Sequence, residues 1–478
     1  MKRLGTWLGL ATAGLCALGC PGPHEGTADS GARDAGRTGL EDAGPSGDAG
    51  VFTDAGVSTG SLDLTVTGLP GLLASVEVTG PGSYLHDSLG SELLASLMLG
   101  TYAVTATSVR APDVMADTIF DATPAVTTAV VSQDKTTAVT VPYSQRVGSG
   151  LFFVPSALTG VISAYDRATL LDGGINVAQP AKVTLTTLLP DGGVWVGPEV
   201  LALDPAGNLW AGFADESSGV EGLARFPAAS LGTTAALQPD IVLSPSDAGA
   251  GLLTISFPKA MAFDSKGNLW IGNCGQTEGL LRIDKASLNA SGAPSGTLWR
   301  GGAVNCPNGL AFDKKGNLWI ASCGSVPTGI FEFTADQLAS TTTPVPAVSI
   351  VSGSANSSCP QNLAFDAQGN LLVTECSGFR GVAEYPAWQL ADGGSTGSSN
   401  DPTVLLKHAN FTCPTGLAFD NASNLWVVDP VSKTVTGIPA AQVQSGGTIV
   451  PISSIKIPAV DYAGPVFDAT PANLPLVH

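Results

Sequence analysis

The sequence predicts an all-β chain, a six-bladed β-propeller preceded by a small β-sandwich. Three observations support this prediction. A hairpin signature recurs through the second half of the chain, a second marker follows each repeat, and residues 61–146 contain short alternating strands of their own. The composition agrees, because 59 Gly and 33 Pro among 478 residues, with 13% charged residues, are typical of turn-rich β-structure with little helix.

The hairpin signature is an apolar run, an Asp, two variable residues, Gly-Asn, and a second apolar run that usually contains Trp. Asp at the first position and Gly at the fourth suit a type I turn, so the two apolar runs are predicted to be adjacent antiparallel strands. We name them strands a and b, with a innermost. The copies are Val200–Trp210, Met261–Trp270, Leu310–Trp319, Leu363–Leu372 and, with Ser in place of Gly, Leu417–Trp426.

The second marker fixes the number of blades. A third strand, c, follows each hairpin, and five residues after its last large side chain comes a Leu or Val. These pairs are Phe226/Leu231, Ile283/Leu288, Phe333/Leu338, Tyr385/Leu390 and Ile438/Val443, and a sixth, Tyr165/Leu170, has no hairpin before it. The missing hairpin signature occurs at the end of the chain, at Gly464–Leu476. We therefore predict a six-bladed propeller over residues 149–478 whose first blade is completed by the C-terminal strand.

The N-terminus predicts export and a lipid anchor. Residues 1–20 have Lys2 and Arg3 before an apolar stretch, as in a secretion signal, and their end, Ala17-Leu18-Gly19-Cys20, resembles a bacterial lipobox. The alternative is an ordinary signal peptide with an incidental Cys. Residues 21–60 are of low complexity and form a predicted disordered tether that spans on the order of 35 Å. We expect a lipoprotein acylated at Cys20 and held at the outer membrane or cell surface.

Residues 61–146 predict a small β-domain. Strands are expected at Leu62–Thr67, Ala74–Thr79, Gly100–Ala106 and Ala138–Tyr143, separated by Gly- and Pro-containing turns. The pattern resembles the Ig-like or carboxypeptidase-regulatory-like sandwich modules of bacterial surface proteins. That resemblance implies a domain that spaces or presents its neighbour.

The six cysteines after Cys20 fall into two groups. Cys274, Cys323 and Cys376 end strand b of successive blades, whereas Cys306, Cys359 and Cys413 precede strand a. Pairing within blades leaves Cys274 and Cys413 unpaired. Pairing each strand b with the next strand a gives 274–306, 323–359 and 376–413 and leaves none over, so we predict these three disulfides. Each contributes roughly 3 to 4 kcal/mol in the chain-entropy model. A metal site is the alternative, but the sequence has no C-x-x-C pair.

Polar residues that differ between blades flank the same end of these strands. Strand b ends at Asn273, Ser322, Glu375 and Asp429, and strand a opens with Glu199, Lys259, Asn308, Gln361 and Thr415. Diversity on a constant framework favours a ligand site, although the mouth of any propeller channel is polar. We predict that Glu375 and Asp429 bind a divalent cation, calcium or magnesium, with Asn308 and Gln361 as neutral oxygen donors and Asn273 at the same site.

The repeat P-x-G-L-A-F-D-x-x-G-N-L-W-I is similar to the repeats of NHL-type propellers, a group that includes virginiamycin B lyase-like and gluconolactonase-like proteins. The lyase resemblance implies a divalent metal and a His with a Glu partner. The histidines at 24, 86, 408 and 478 do not lie beside a repeat hairpin at the channel mouth. The gluconolactonase resemblance implies a metal bound by Glu, Asn and Asp, but these roles do not align residue by residue with this chain.

The function expected from the sequence is binding. The net charge of -19 argues against nucleic acid as a partner, and neither G-x-x-x-x-G-K-[ST] nor H-E-x-x-H occurs. We predict a cell-envelope module that binds a protein, a polysaccharide or a small molecule, with no catalytic residue assigned. The alternative is a metal-dependent lactonase- or lyase-type enzyme with its site at the same channel mouth, and a bound divalent metal distinguishes the two.

Overall fold

The computed structural model describes residues 58–106, 109–110, 118–122, 126–147, 149–215, 220–244, 255–275, 278–323, 327–340, 343–351, 359–391, 401–420, 422–458 and 464–467. The predicted signal segment, Cys20, nearly all of the tether and Asp468 lie outside these residues. Within them, no helix combines the length and the hydrophobicity needed to cross a bilayer.

The N-terminal domain is a sandwich of two sheets around one apolar core. Its strands are β1 (Thr59–Thr67), β2 (Val76–Gly80), β3 (Tyr84–Ser88), β4 (Glu92–Met98), β5 (Gly100–Ala106), β6 (Val109–Arg110), β7 (Thr118–Ala122), β8 (Val126–Val131) and β9 (Thr136–Val147). One sheet has the order β4-β1-β9-β7-β6 and the other β3-β2-β5-β8. Leu64, Val78 and Tyr102 are fully buried between them. The sequence located β1, β2, β5 and β9 but did not reveal the others.

The remaining strands form six separate sheets. They begin with β10 (Phe152–Ser156), β11 (Val161–Tyr165), β12 (Ile175–Ala178), β13 (Val183–Thr187), β14 (Pro198–Leu203), β15 (Leu209–Asp215), β16 (Val220–Phe226), β17 (Ala235–Leu237), β18 (Ile241–Leu243), β19 (Pro258–Phe263), β20 (Leu269–Asn273), β21 (Gly279–Ile283) and β22 (Gly296–Trp299). They continue with β23 (Pro307–Phe312), β24 (Leu318–Ser322), β25 (Gly329–Phe333), β26 (Val348–Val351), β27 (Pro360–Phe365), β28 (Leu371–Glu375), β29 (Gly381–Tyr385), β30 (Val404–Lys407), β31 (Gly416–Phe419), β32 (Leu425–Asp429), β33 (Thr434–Ile438), β34 (Gly447–Thr448), β35 (Ser454–Lys456) and β36 (Val466–Phe467).

The sheets close into a six-bladed propeller. The inner strands β14, β19, β23, β27, β31 and β36 contact one another in that order, and β36 contacts β14 again. Blade 1 is completed as predicted, because β36 pairs with β10 through Phe467–Phe152 and Val466–Phe153. Two backbone hydrogen bonds then join blade 1 to blade 2, from Leu201 N to Gly464 O (3.2 Å) and from Gly464 N to Glu199 O (3.1 Å). The two ends of the propeller chain are therefore joined within one sheet.

An Asp carboxylate organises each a–b hairpin that the structure describes. In blade 2, Asp204 Oδ1 accepts hydrogen bonds from the backbone N–H groups of Ala206 (3.0 Å) and Asn208 (2.9 Å). Its Oδ2 accepts from Asn208 Nδ2 (2.9 Å) and Trp210 Nε1 (3.1 Å). Asn208 Oδ1 in turn accepts from Ala228 N, at the start of the segment after strand c (3.1 Å). The same network recurs around Asp264, Asp313 and Asp420.

The Trp side chains pack between blades. Trp210, Trp270 and Trp319 contact Phe263, Phe312 and Phe365 of the next inner strand, with ring centroids 6.3, 6.2 and 6.1 Å apart. All three indoles are buried, which excludes them as an exposed binding stripe. The second marker has a similar role, because Leu170, Leu231 and Val443 are buried where strand c ends.

Short helical segments carry these marker residues. The α-helices are α1 (Arg167–Asp172), α2 (Ala387–Ala391) and α3 (Ala440–Val443), and the 3-10 segments are Pro81–Ser83 in the sandwich and Ala228–Ser230, Lys285–Asn289, Gly302–Val304 and Gln337–Ala339 in the propeller. After them the chain reaches the outer edge of the preceding blade, where β12 pairs with β35, β17 with β13 and β34 with β30. These strands cover outer edges that would otherwise expose unpaired backbone groups.

We expect Asp204→Ala to lower the free energy of unfolding by about 2 to 4 kcal/mol, because the Trp210 indole N–H and the Asn208 amide would stay buried without an acceptor. Urea unfolding followed by tryptophan fluorescence measures this loss. Ala206→Ser changes an exposed residue of the same turn and is the matched control. Equal midpoints for the two variants would contradict the assigned role of the carboxylate.

Blade 5 departs from the network because Leu372 stands where the other hairpins have Trp. Asp366 keeps its bond from Asn370 Nδ2 (2.8 Å) but receives none from an indole. Glu384 lies opposite Leu372, and its Oε2 is buried without a hydrogen-bond partner among the described residues. Burial, and secondarily the charge of Asp366, raises the pKa of Glu384 to about 7.

The raised pKa predicts a stability that falls as the pH rises. Between about pH 4.5 and 7 the folded chain keeps a proton on Glu384 that the unfolded chain has lost. We expect Glu384→Gln to flatten this part of the stability–pH profile and to stabilise the protein by about 1 to 2 kcal/mol at pH 8. Urea unfolding between pH 4.5 and 8 tests this, with the exposed Asp336→Asn as a control for net charge. A profile identical to that of the unmodified chain would show that Glu384 ionises freely.

Candidate functional site

The two ends of the propeller channel differ in chemistry. At one end, which we call the disulfide face, strands a begin and strands b end. Disulfides join Cys274 to Cys306, Cys323 to Cys359 and Cys376 to Cys413 there. This is the predicted pairing, and it links blades 3, 4, 5 and 6 in series. At the other end, the hairpin face, lie the a–b turns.

The predicted cation ligands at the ends of strands b point to backbone groups. Asp429 Oδ2 accepts hydrogen bonds from the N–H groups of Thr412 (2.6 Å) and Cys413 (2.7 Å), and Oδ1 accepts from Ser432 N (2.9 Å). Glu375 Oε2 accepts from Cys359 N (3.1 Å), and Asn273 Oδ1 accepts from Ser256 N (3.3 Å). Each side chain thus fixes the segment that precedes strand a of its own blade. Asn273, Glu375 and Asp429 are at most 1% exposed.

The residues that open strands a form a second set, which we call the mouth ring: Glu199, Lys259, Asn308, Gln361 and Thr415. The structure brings neighbours in this ring together. Lys259 Nζ forms an ion pair with Glu199 Oε2 across blades 2 and 3. Asn308 Nδ2 donates to Gln361 Oε1 across blades 4 and 5, at 3.2 Å. Lys259 and Asn308 are partly exposed, whereas Glu199, Gln361 and Thr415 are buried. Disulfides link the four blades that carry every ring residue except Glu199.

The donor set for a cation is divided between these two layers. Glu375 and Asp429, at the ends of strands b, accept backbone N–H groups, whereas Asn308 and Gln361, at the starts of strands a, bond to each other. Across the described residues, no group of three or more His, Cys, Asp or Glu side chains converges as metal ligands would. Binding of calcium or magnesium at Glu375, Asp429, Asn308, Gln361 and Asn273 stays a prediction.

Two exposed apolar side chains stand beside the mouth ring. Leu158 and Val431 lie in the b–c turns of the adjacent blades 1 and 6, on the disulfide face, and are 60% and 59% exposed. Ala157 O accepts a hydrogen bond from Gly197 N, just before strand a of blade 2, which fixes the position of the first turn (2.9 Å). Sequence reasoning missed both residues. The sequence signal that could have located them is an apolar residue in the short turn between strands b and c.

Comparisons with known proteins do not assign the chain to a family. No protein-family model matches the chain, and no curated protein matches it. A streptogramin B lyase structure is 14% identical and covers 64% of this chain and 74% of its own, with a TM-score of 0.30. The PQQ-bound form of aldose sugar dehydrogenase from Streptomyces coelicolor is 18% identical and covers 57% and 80%, with a TM-score of 0.32.

A protein of unknown function from Bacteroides caccae is 14% identical and covers 66% of this chain and 98% of its own, with a TM-score of 0.38. Similarity at this level carries no information about activity. The assignment of six blades depends on the sheet topology.

We expect Asp429→Asn to lower the free energy of unfolding by about 2 to 3 kcal/mol. Both carboxylate oxygens now accept backbone N–H bonds, and in Asn one of them is replaced by an NH₂ group that cannot accept. The same loss should appear in calcium and in a chelator if Asp429 supports backbone alone. Thermal unfolding in both buffers tests this, with Asp401→Asn, an exposed change, as the control. A loss seen only in calcium would instead assign Asp429 to a cation site.

Proposed function

We propose that this chain is an exported cell-envelope lipoprotein whose propeller binds a partner protein at the disulfide face. The observation that supports the proposal most directly is the mouth ring, in which five blades contribute five different polar side chains on a nearly constant framework. Binding residues are commonly carried on variable positions of a rigid scaffold. The proposal assigns recognition to Lys259 and Asn308, the partly exposed members of the mouth ring, and to the exposed apolar residues Leu158 and Val431.

The surroundings of the ring favour a protein loop over a saccharide. Sugar rings are commonly bound against exposed aromatic faces, but the Trp side chains at 210, 270, 319 and 426 are buried between blades. Phe257 and Phe379 are partly exposed on the disulfide face, but lysine ammonium groups already lie over their rings, Lys259 Nζ at 4.2 Å and Lys407 Nζ at 5.9 Å from the centroids. Leu158 and Val431 instead offer aliphatic surface beside hydrogen-bonding groups. Apolar contacts bordered by polar ones are the usual composition of a protein–protein interface.

The anchor and the export route are part of the proposal. The sequence Ala17-Leu18-Gly19-Cys20 and the low-complexity segment after it support a lipid-modified N-terminus. The three disulfides support export, because such bonds persist in oxidising compartments.

Capture with surface variants tests the proposal. The full-length protein is immobilised and exposed to the envelope fraction of the organism that produces it, and bound proteins are quantified by mass spectrometry. We expect Leu158→Asp with Val431→Asp to reduce capture of the partner at least about tenfold, because each change removes apolar contact area. Asn308→Ala with Gln361→Ala should also reduce capture, because the two changes remove hydrogen-bonding groups from the mouth ring.

Val345→Asp is the matched control, since Val345 is 82% exposed and lies in the segment after strand c, away from the disulfide face. A partner retained equally by all variants would place binding elsewhere. Binding of purified envelope polysaccharide in place of any protein would overturn the choice of partner.

The enzymatic alternative, a metal-dependent lactonase or lyase, has no specific structural support. Its metal would have to displace backbone hydrogen bonds that Glu375 and Asp429 accept. Elemental analysis of the full-length protein before and after chelation distinguishes the alternatives. One stoichiometric divalent ion would favour the enzyme.

A further inference from the structure

A cavity of about 210 Å³ occupies the hairpin half of the channel. Residues from the inner strands of all six blades line the cavity. None of the mouth-ring residues lines it. The sandwich contributes Thr105, Ala106 and Ala122 to the wall. The cavity therefore shares no residue with the mouth ring.

The wall of the cavity is apolar. The repeated Leu-Ala-Phe segment and its equivalents supply much of it, and Ala364, Phe365, Ala418 and Phe419 remain partly exposed toward the channel. A cavity of about 150 Å³ with such walls is large enough for benzene, so this one has room for a single ring or a short acyl chain. Burial of such a group contributes roughly 25 cal/mol per Å² of apolar surface.

The edge of the cavity at blade 3 is charged. Asp264, Lys266 and Lys285 all line it. The Asp264 carboxylate is already engaged, because it accepts from Lys266 N, Asn268 N, Asn268 Nδ2 and Trp270 Nε1. The two lysines are exposed, and neither forms an ion pair with any described residue. The methylene groups of Lys285 pack over Gly267, which holds its ammonium group near this edge.

We propose that the channel cavity binds a small amphiphilic carboxylate, whose apolar body lies against the Leu-Ala-Phe walls and whose charged group meets Lys266 and Lys285. Because the two lysines lie at only one edge of the cavity, the charged group of the ligand is oriented toward blade 3. Asp264 keeps its negative charge, but its oxygens are occupied by four N–H donors, and the two ammonium groups outnumber this one carboxylate, so the edge is net positive. An anion is favoured there over a neutral or cationic head group.

Calorimetric titration of the full-length protein with three eight-carbon probes tests this assignment. Octanoate, octan-1-ol and octylammonium share one chain and differ in charge. We expect octanoate to bind, and to bind roughly five- to tenfold more tightly than octan-1-ol, with octylammonium weakest. Equal affinities for the three probes, or no binding of octanoate at millimolar concentration, would overturn the proposal.

Variants separate the two parts of the site. Lys266→Gln with Lys285→Gln should remove the preference for octanoate and leave octan-1-ol binding unchanged. Lys315→Gln changes the equivalent lysine of the next hairpin, which does not line the cavity, and is the matched control. Ala418→Leu should fill the channel and weaken all three probes, with Ala364→Leu as a second choice if that variant is unstable. Unchanged binding in both would place the ligand outside the channel.

Discussion

The hairpin carboxylates are the interaction on which the rest of the propeller depends. In four blades the carboxylate accepts two backbone hydrogen bonds that close the turn and an indole N–H from strand b. The Trp held in this way packs against the inner strand of the next blade. One Asp therefore fixes a turn, a side-chain orientation and a contact between blades, and the Asn four residues later connects the same turn to the segment after strand c.

Closure of the ring imposes a second constraint. A propeller must join its last blade to its first, and here β36 from the C-terminal part of the chain completes the sheet of β10. The disulfides cover the junctions between blades 3 and 6, whereas the remaining described junctions use backbone hydrogen bonds and the Lys259–Glu199 pair. Blades 3 to 6 are thus linked covalently, whereas the junctions that involve blades 1 and 2 depend on non-covalent contacts.

The sequence was sufficient for the architecture because repetition exposes it. Five copies of one hairpin and a displaced sixth predicted the blades, the closure and the disulfides, and the helical marker residues are buried as a repeated framework requires. Polar positions were harder to interpret. Asp429 and Glu375 differ between blades as ligands would, yet they hold local backbone, and a one-dimensional pattern does not show in which direction a carboxylate points.

The cavity escaped prediction for a related reason. Leu, Ala and Phe of the repeat are what blade packing requires, so their partial exposure in blades 5 and 6 leaves no mark in the sequence. Charge is the informative difference. Lys266 and Lys315 occupy the same place in successive hairpins, but only Lys266 lines the cavity, where Lys285 joins it. Equivalent residues in a repeat can therefore have different surroundings, because the sandwich and the neighbouring segments break the symmetry that the hairpins share.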